Sequence, residues 1–384
     1  MSAEPIVQKC RDLLDLLPAQ ALAAARERHP EVGGFGVFPV YAPVEVIHAA
    51  GLMPVGLFGA GSKVELSHAD SRFQSFICSI AKSTLELFLR GDMKDFAGVV
   101  FSSICDVARN LASLVKRNTA GLLVEYMHLP QNLYSDSSLA YTRAEFGRFR
   151  RNLSTHLGRP ITDEAILRSL VLYNEVRALI RTLYDARRAG KLGLSAADLY
   201  AVVQAGTRMM PEDYVLLLRE LLTHLEHRAE RPRDGVRVVL EGAFCEQPPI
   251  ELIETLEAAG CIVRDDDLMI GWRLFGEITP NNGDPLGTLA NAYLRGSVYT
   301  SVCHDRDRPR TERLMERLEK CGAEAVVFLP AKFCEPALLD YVLFRQRLDQ
   351  TGTPHLKIEF EEKMWTFDNT RTEVETFAES MLFD

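Results

Sequence analysis

The sequence predicts an α/β fold of two parallel-sheet lobes with an intervening helical module, and three observations carry that prediction. Short apolar runs of strand length alternate with helical periodicity from about residue 37 to residue 121. From about residue 139 to residue 228 strand character is nearly absent. From residue 236 the alternation resumes and reuses wording from the first stretch. Strands and helices in alternation argue for a mostly parallel sheet covered on its faces by helices. The expected parts are 1–138, an N-terminal helix and first α/β lobe; 139–232, the helical module; and 233–384, the second α/β lobe.

Each element follows from a local signal. Val7, Cys10, Leu13, Leu14 and Leu17 recur at helical spacing, so the first 30 residues read as an amphipathic helix, interrupted by Gly33, Gly34 and Gly36. Pro43 to Ala50 suits a helix that Gly51 ends, and Leu52 to Leu57 a buried strand. Ile80 to Leu89 is helical, Phe96 to Phe101 a strand, Leu111 to Arg117 a helix and Gly121 to Tyr126 a strand. In the middle, Thr162 caps a helix carrying Ile166 to Arg187, Ser195 caps a second, and Pro211 opens a third running to His227. Arg231 to Gly235 reads as a linker. Strands are then expected at Val236–Leu240, Cys261–Arg264, Ala325–Leu329 and Pro354–Phe360, and helices at Pro249–Ala259, Arg310–Lys320 and Pro336–Thr351.

The two α/β stretches echo each other. Ala49-Ala50-Gly51 is matched by Ala258-Ala259-Gly260. Val99-Val100-Phe101 leads to Cys105-Asp106, and Val326-Val327-Phe328 leads to Cys334-Glu335. This reads as duplication of one Rossmann-like unit that sets a cysteine and then an acid beyond a buried strand.

Composition limits the function classes. At 384 residues, with 47% hydrophobic and 25% charged residues, the chain has the material for two or three folded domains. The charge of −9, from 44 basic and 53 acidic residues, disfavours nucleic-acid binding. No apolar run approaches a membrane span of roughly 20 residues, and the first residues lack a signal-peptide pattern. A cytoplasmic location is therefore expected. Eight cysteines without a C-x-x-C pair argue against a disulfide framework or a zinc ribbon.

Ligands of open parallel sheets gather beyond the carboxyl ends of the strands. Cys105 and Cys334 fall there, and Cys78 opens the helix toward Leu89, where free N–H groups favour a thiolate. The three are either the ligands of an iron–sulfur cluster in a cleft between the lobes or buried space-fillers. Cys10, Cys261 and Cys321 read as core. Cys245 and Cys303 follow strand-like runs and stay open. Gly56 to Lys63 is glycine-rich but lacks the Gly-Lys-Ser/Thr order of a phosphate loop. Cys303-His304-Asp305 reads as surface loop rather than a zinc site, and Asp265-Asp266-Asp267 as a solvated turn rather than a cation site.

The chain resembles the benzoyl-CoA reductase and 2-hydroxyacyl-CoA dehydratase family, D-component type, over nearly its whole length. The resemblance is carried by Tyr41-Ala42-Pro43-Val44-Glu45 with Ala49-Ala50-Gly51; by Cys78 ahead of a helix; and by Val99-Val100-Phe101 with Cys105-Asp106. Tyr173-Asn174, Asp266-Asp267-Leu268 with Gly271 and Arg273, and Lys332-Phe333-Cys334-Glu335 complete it. Within the family the wording is most like the smaller cluster-bearing subunit of an ATP-dependent reductase of anaerobic aromatic degradation. The resemblance implies two Rossmann-like lobes and a [4Fe–4S] cluster held by Cys78, Cys105 and Cys334. It also implies pairing with a homologous cluster-bearing subunit. A heterotetramer is then completed by ATP-hydrolysing subunits that carry their own iron–sulfur cluster and take electrons from ferredoxin. The implied reaction is two-electron reduction of benzoyl-CoA to cyclohexa-1,5-diene-1-carbonyl-CoA. Glu45 and His304 are the candidate proton donors, and Lys63, Arg109 and Arg273 the candidate contacts to CoA phosphate. The same motifs serve 2-hydroxyacyl-CoA dehydratases, and a subunit of this kind either binds the acyl-CoA or only relays electrons.

Overall fold

In the computed structural model the described residues are 3–39, 41–226, 234–269, 278, 283–296, 303, 305, 307–361, 364 and 366–382. Two four-stranded parallel sheets organise them. Strands β1 (Gly33–Val37), β2 (Leu52–Gly56), β3 (Phe96–Ser102) and β4 (Leu123–Met127) stand in the order β2-β1-β3-β4. Strands β5 (Val236–Glu241), β6 (Cys261–Asp266), β7 (Ala325–Phe328) and β8 (His355–Lys357) stand in the order β6-β5-β7-β8. The duplicated wording is thus matched by a duplicated topology. In each sheet the chain steps outward from the first strand to the second, then returns to the other side, which puts a switch point between β1 and β3 and another between β5 and β7.

Fourteen helices surround the sheets among the described residues. Helices α1 (Glu4–Leu14) and α2 (Pro18–Arg26) precede β1, and α3 (Val44–Ala49), α4 (Ser79–Leu89) and α5 (Asp106–Asn118) connect the first four strands. The middle is α6 (Asp136–Leu157), α7 (Asp163–Arg188), α8 (Ala196–Ala205) and α9 (Pro211–Leu225). The second lobe holds α10 (Ile250–Ala258), α11 (Pro285–Asn291), α12 (Arg310–Cys321), α13 (Glu335–Thr351) and α14 (Asp368–Leu382). The echoed Ala-Ala-Gly has a physical cause. Gly51 and Gly260 both take positive φ, 75° and 95°, so each ends its helix with a left-handed residue before the edge strand. No helix among the described residues is long and apolar enough to cross a membrane.

Three expectations need correction. The first 30 residues form two helices, because Leu17 is extended and Pro18 starts a new first turn. The glycines at 33, 34 and 36 are not an interruption but β1, an inner strand of the first sheet. A Cβ on Gly36 would stand 2.9 Å from Leu57 and 3.2 Å from Val99, so neighbouring side chains occupy that space. The third concerns Asp265-Asp266-Asp267, which is neither a solvated turn nor a cation site. All three are buried at the carboxyl end of β6. Asp265 accepts from Arg188 at 2.9 and 3.1 Å and from Arg317 at 3.2 Å, Asp266 pairs with Arg187 and Tyr184, and Asp267 accepts the Gly242 N–H at 2.9 Å. Helices α7 and α12 bring those arginines in from both sides, which strand periodicity does not reveal. Helix α14 carries no strong sequence signal and is an addition to the expected elements.

A four-cysteine cavity as the candidate functional site

Four loops at the carboxyl ends of strands, from both sheets, meet around one cavity of about 520 Å³. Phe38 follows β1 and Cys105 follows β3, so the first lobe meets the cavity at its switch point. Phe244-Cys245-Glu246 follows β5 and Cys334 follows β7, so the second lobe does the same. Cys78 enters from the segment ahead of α4.

Three of these cysteines share one local position: Cys78, Cys105 and Cys334 are the N-cap residues of α4, α5 and α13. The first N–H groups of a helix have no partner within it, and a side chain in the cap position takes them. Cys105 accepts from Ala108 N–H at 3.4 Å and also draws on Val107. Cys78 and Cys334 stand in the same position without a side-chain cap hydrogen bond, with the N–H groups of Ala81, Ala337 and Cys245 near enough to favour their thiolates. Phe333, just before Cys334, is held at φ 63°, a left-handed conformation that a bulky residue adopts at a cost of about 1–3 kcal/mol.

The expectation that helix N-termini favour thiolates here fails, because burial outweighs them. Desolvation raises all four thiols, Cys334 to about 12, and neighbouring thiols add to the shift on Cys78, Cys245 and Cys334. The remaining charged lining, Asp106, Glu246 and Glu335, is acidic, and no Lys, Arg or His lines the cavity among the described residues. Four thiols beside Glu246 and Glu335, with Asp106 paired outward to Arg109, fit a positively charged occupant that bonds sulfur, since metal binding is what deprotonates such thiols. Several thiols brought to one cavity from separate segments are the donor type that holds an iron–sulfur cluster.

The structure does not gather the other sequence-level candidates here. Glu45 is fully buried on α3 and ion-paired with Arg177 of α7, away from the cavity lining. His304 and Arg273, with Gly271, lie outside the described residues. Arg109 is exposed and pairs with Asp106 at 3.0 Å. Lys63 lies at a different cavity, beside Asp15. Asn174 bonds the backbone of Ile278, joining α7 to that segment. The site also holds two residues that sequence reasoning does not assign to it. Cys245 carries a signal, since it follows β5 as Cys105 follows β3. Glu246 carries none. Its carboxylate accepts the Ser79 hydroxyl at 2.6 Å and the Ile80 N–H at 3.1 Å, fastening the second lobe to the start of α4.

With the geometry established, comparison with known proteins decides the family. The family model described as 2-hydroxyglutaryl-CoA dehydratase, D-component, matches residues 39–381. The chain belongs to this D-component family. It is 35% identical to a benzoyl-CoA reductase subunit of Thauera aromatica, covering 99% of both chains. It is 29% identical to the lactoyl-CoA dehydratase subunit beta of Anaerotignum propionicum, over 91% of this chain and 92% of that one. It is 25% identical to the (R)-phenyllactyl-CoA dehydratase beta subunit of Clostridium sporogenes, over 92% and 94%. This D-component chain is thus a subunit of the reductase and dehydratase family, whose named relatives are enzyme subunits, and the α/β expectation holds in both lobes.

Proposed function

We propose that the chain is the smaller iron–sulfur subunit of an ATP-dependent benzoyl-CoA reductase, working in the cytoplasm with a homologous cluster-bearing subunit and an ATP-hydrolysing pair fed by ferredoxin. The observation that carries this reading is the meeting of three cysteines at helix N-cap positions, from both lobes, on one acidic, thiol-lined cavity. Likeness over the full length to a reductase subunit supports the choice of reaction. Cys78, Cys105 and Cys334 would hold a [4Fe–4S] cluster, which when bound supplies low-potential electrons one at a time. The protein's own part is local. The Ala108 N–H donated to Cys105, and the helix N-termini behind Cys78 and Cys334, favour negative charge on the sulfurs. Phe38, Phe244, Ile77 and Leu338 keep the surroundings apolar. Exposed Phe76, Phe333 and Leu339 at the rim suit coverage by the homologous subunit.

Cys245 stands in the same cavity as a fourth thiol. Were Cys245 to join the other three as a ligand, no iron would be left open to substrate and the subunit would relay electrons; were it not, the open iron would face the acyl-CoA. Glu45 remains our candidate for handling a proton near substrate, because its Oε2 has no hydrogen-bond partner among the described residues. The second reading, a 2-hydroxyacyl-CoA dehydratase subunit, is favoured by the likeness to the lactoyl-CoA and phenyllactyl-CoA relatives.

The test is iron and acid-labile sulfide analysis of the chain purified anaerobically with its homologous partner, in wild type and in Cys105→Ser and Cys334→Ser. Loss of iron in both variants supports the cluster; full iron in both removes it. Ring reduction of benzoyl-CoA, against dehydration of a 2-hydroxyacyl-CoA with catalytic electrons, then separates the two reactions.

A further inference from the structure

A second cavity, of about 250 Å³, lies on the far side of the loop that carries Cys245: Phe244 to Glu246 line the cysteine cavity, and Gln247 to Glu251 line this one. Its other walls are the α1–α2 junction, the glycine-rich turn at Gly59–Lys63, and Thr207 and Arg208 after α8. Both lobes and the helical module meet there, and the charge they bring is unusual. Arg208 is 8% exposed, and its Nη1 is buried without a hydrogen-bond partner. Among the described residues no side chain bonds its guanidinium or pairs with it. A buried charge is costly unless it is paired and hydrogen-bonded.

The neighbours deepen the imbalance rather than relieve it. Lys63 lines the same cavity, and Arg208 is close enough to disfavour its protonation, beyond the larger effect of burial. Burial pushes Arg208 itself down to about 10, so it stays charged at neutral pH. Helix α10, nine residues long, starts at this cavity after Pro249, and its first N–H groups add positive potential. The acids present are Asp15, exposed and 3.8 Å from Lys63, and Glu251 in the first turn of α10. Neither pairs with Arg208.

We infer that this cavity is an anion site that takes a phosphate group borne by a small-molecule ligand. A guanidinium with unused donors, an ammonium and a helix N-terminus are the groups that recognise phosphate. A cavity of this size is smaller than the ~300–1,000 Å³ of pockets that enclose a drug-sized ligand. It suits a phosphate-bearing end, with the rest of the ligand extending outward. The glycine-rich turn, which fails as a nucleotide phosphate loop, would serve here as the wall that carries Lys63. The inference rests on this cationic cavity alone and is independent of the cysteine site.

The experiment is titration calorimetry, with thermal unfolding, on the full chain with its homologous partner, using inorganic phosphate, ADP and coenzyme A as separate probes. Saturable binding of at least one probe is expected. Arg208→Met should weaken it at least tenfold while leaving ligand-free unfolding at the same or a higher temperature, because an unpaired buried charge has been replaced by an apolar chain of similar length. Lys63→Gln should weaken it severalfold. Response to coenzyme A alone identifies a subsite for its esters, an equal response to ADP a nucleotide diphosphate, and an equal response to inorganic phosphate a bare anion. Each of these supports the site when lost in Arg208→Met. Absence of saturable binding for all three probes, binding that survives Arg208→Met, or a lowered ligand-free unfolding temperature in that variant would overturn it.

Discussion

Replacing Glu246 with alanine tests whether the two lobes are held together at the cysteine cavity. Glu246 is 1% exposed and belongs to the second lobe, while its partners, the Ser79 hydroxyl at 2.6 Å and the Ile80 N–H at 3.1 Å, belong to the first. Hydrogen bonds to a charged acceptor contribute about 1.5–3 kcal/mol each, and orphaning a buried N–H costs about 1–3 kcal/mol. The two bonds overlap in what they fasten, so a total of about 3–5 kcal/mol is expected, a large part of a typical stability of about 5–15 kcal/mol. Glu246→Gln keeps one acceptor oxygen and should lose about half as much. Urea unfolding at unchanged m reads the difference directly as a shift of midpoint. A loss under about 0.5 kcal/mol in Glu246→Ala, the level of an ordinary surface substitution, would refute the tie between Glu246 and α4.

Three further outcomes follow from named groups. Burial alone would raise Asp265, but Arg317, Arg188 and Arg187 together hold it well below the usual aspartate range. Its stabilising contribution is therefore complete above the ordinary value of 3.8 and is lost only as pH falls through the depressed value. Asp265→Asn should cost about 3–5 kcal/mol at neutral pH, by leaving buried guanidiniums uncompensated, and should blunt the acid limb of a circular-dichroism titration. Cys245→Ala should retain four irons when made anaerobically but lose one on mild one-electron oxidation, as read by iron analysis and electron paramagnetic resonance; wild type should resist the same treatment. Glu45→Gln should cost about 3–5 kcal/mol by leaving buried Arg177 uncompensated, yet keep its iron while turnover falls at least tenfold, and unchanged turnover would confine Glu45 to packing α3 on α7.

What the sequence reveals, and what it hides, follows from how each residue signals its environment. The strands β3 and β7 are legible because both faces are buried and they read as apolar runs, and β5 is as legible although Arg237 interrupts its run. Strand β1 is equally buried but three of its five residues are glycine, and close packing by Leu57 and Val99 replaces the hydrophobic run that would have marked it. Missing β1 also hides the first lobe's switch point, where Phe38 meets the cavity. Cys105 and Cys334 are legible because each follows a recognisable strand. The Asp265–Asp267 network is misread because its arginine partners lie roughly 50 to 80 positions away in sequence, a distance over which no local periodicity carries information. Arg208 looks like an ordinary turn residue, and only the fold makes it a buried charge.

The division of thiols between lobes carries the last consequence. The first lobe supplies Cys78 and Cys105 and the second supplies Cys245 and Cys334, so neither lobe alone offers more than two. A group that bonds thiols from both lobes adds its binding free energy to the association of the lobes, because that arrangement is what the binding selects. Without a cationic occupant, burial keeps the thiols protonated and no Lys, Arg or His in the described lining faces Glu246. Stripping the metal with a chelator under anaerobic conditions should therefore lower the unfolding temperature and speed proteolysis in loops bordering the cavity, while far-ultraviolet circular dichroism stays nearly constant, since both sheets persist. If the stripped and metal-bound chains unfold at the same temperature, the thiols of the two lobes are not bonded to a common group, and the cysteine cavity is a consequence of packing alone.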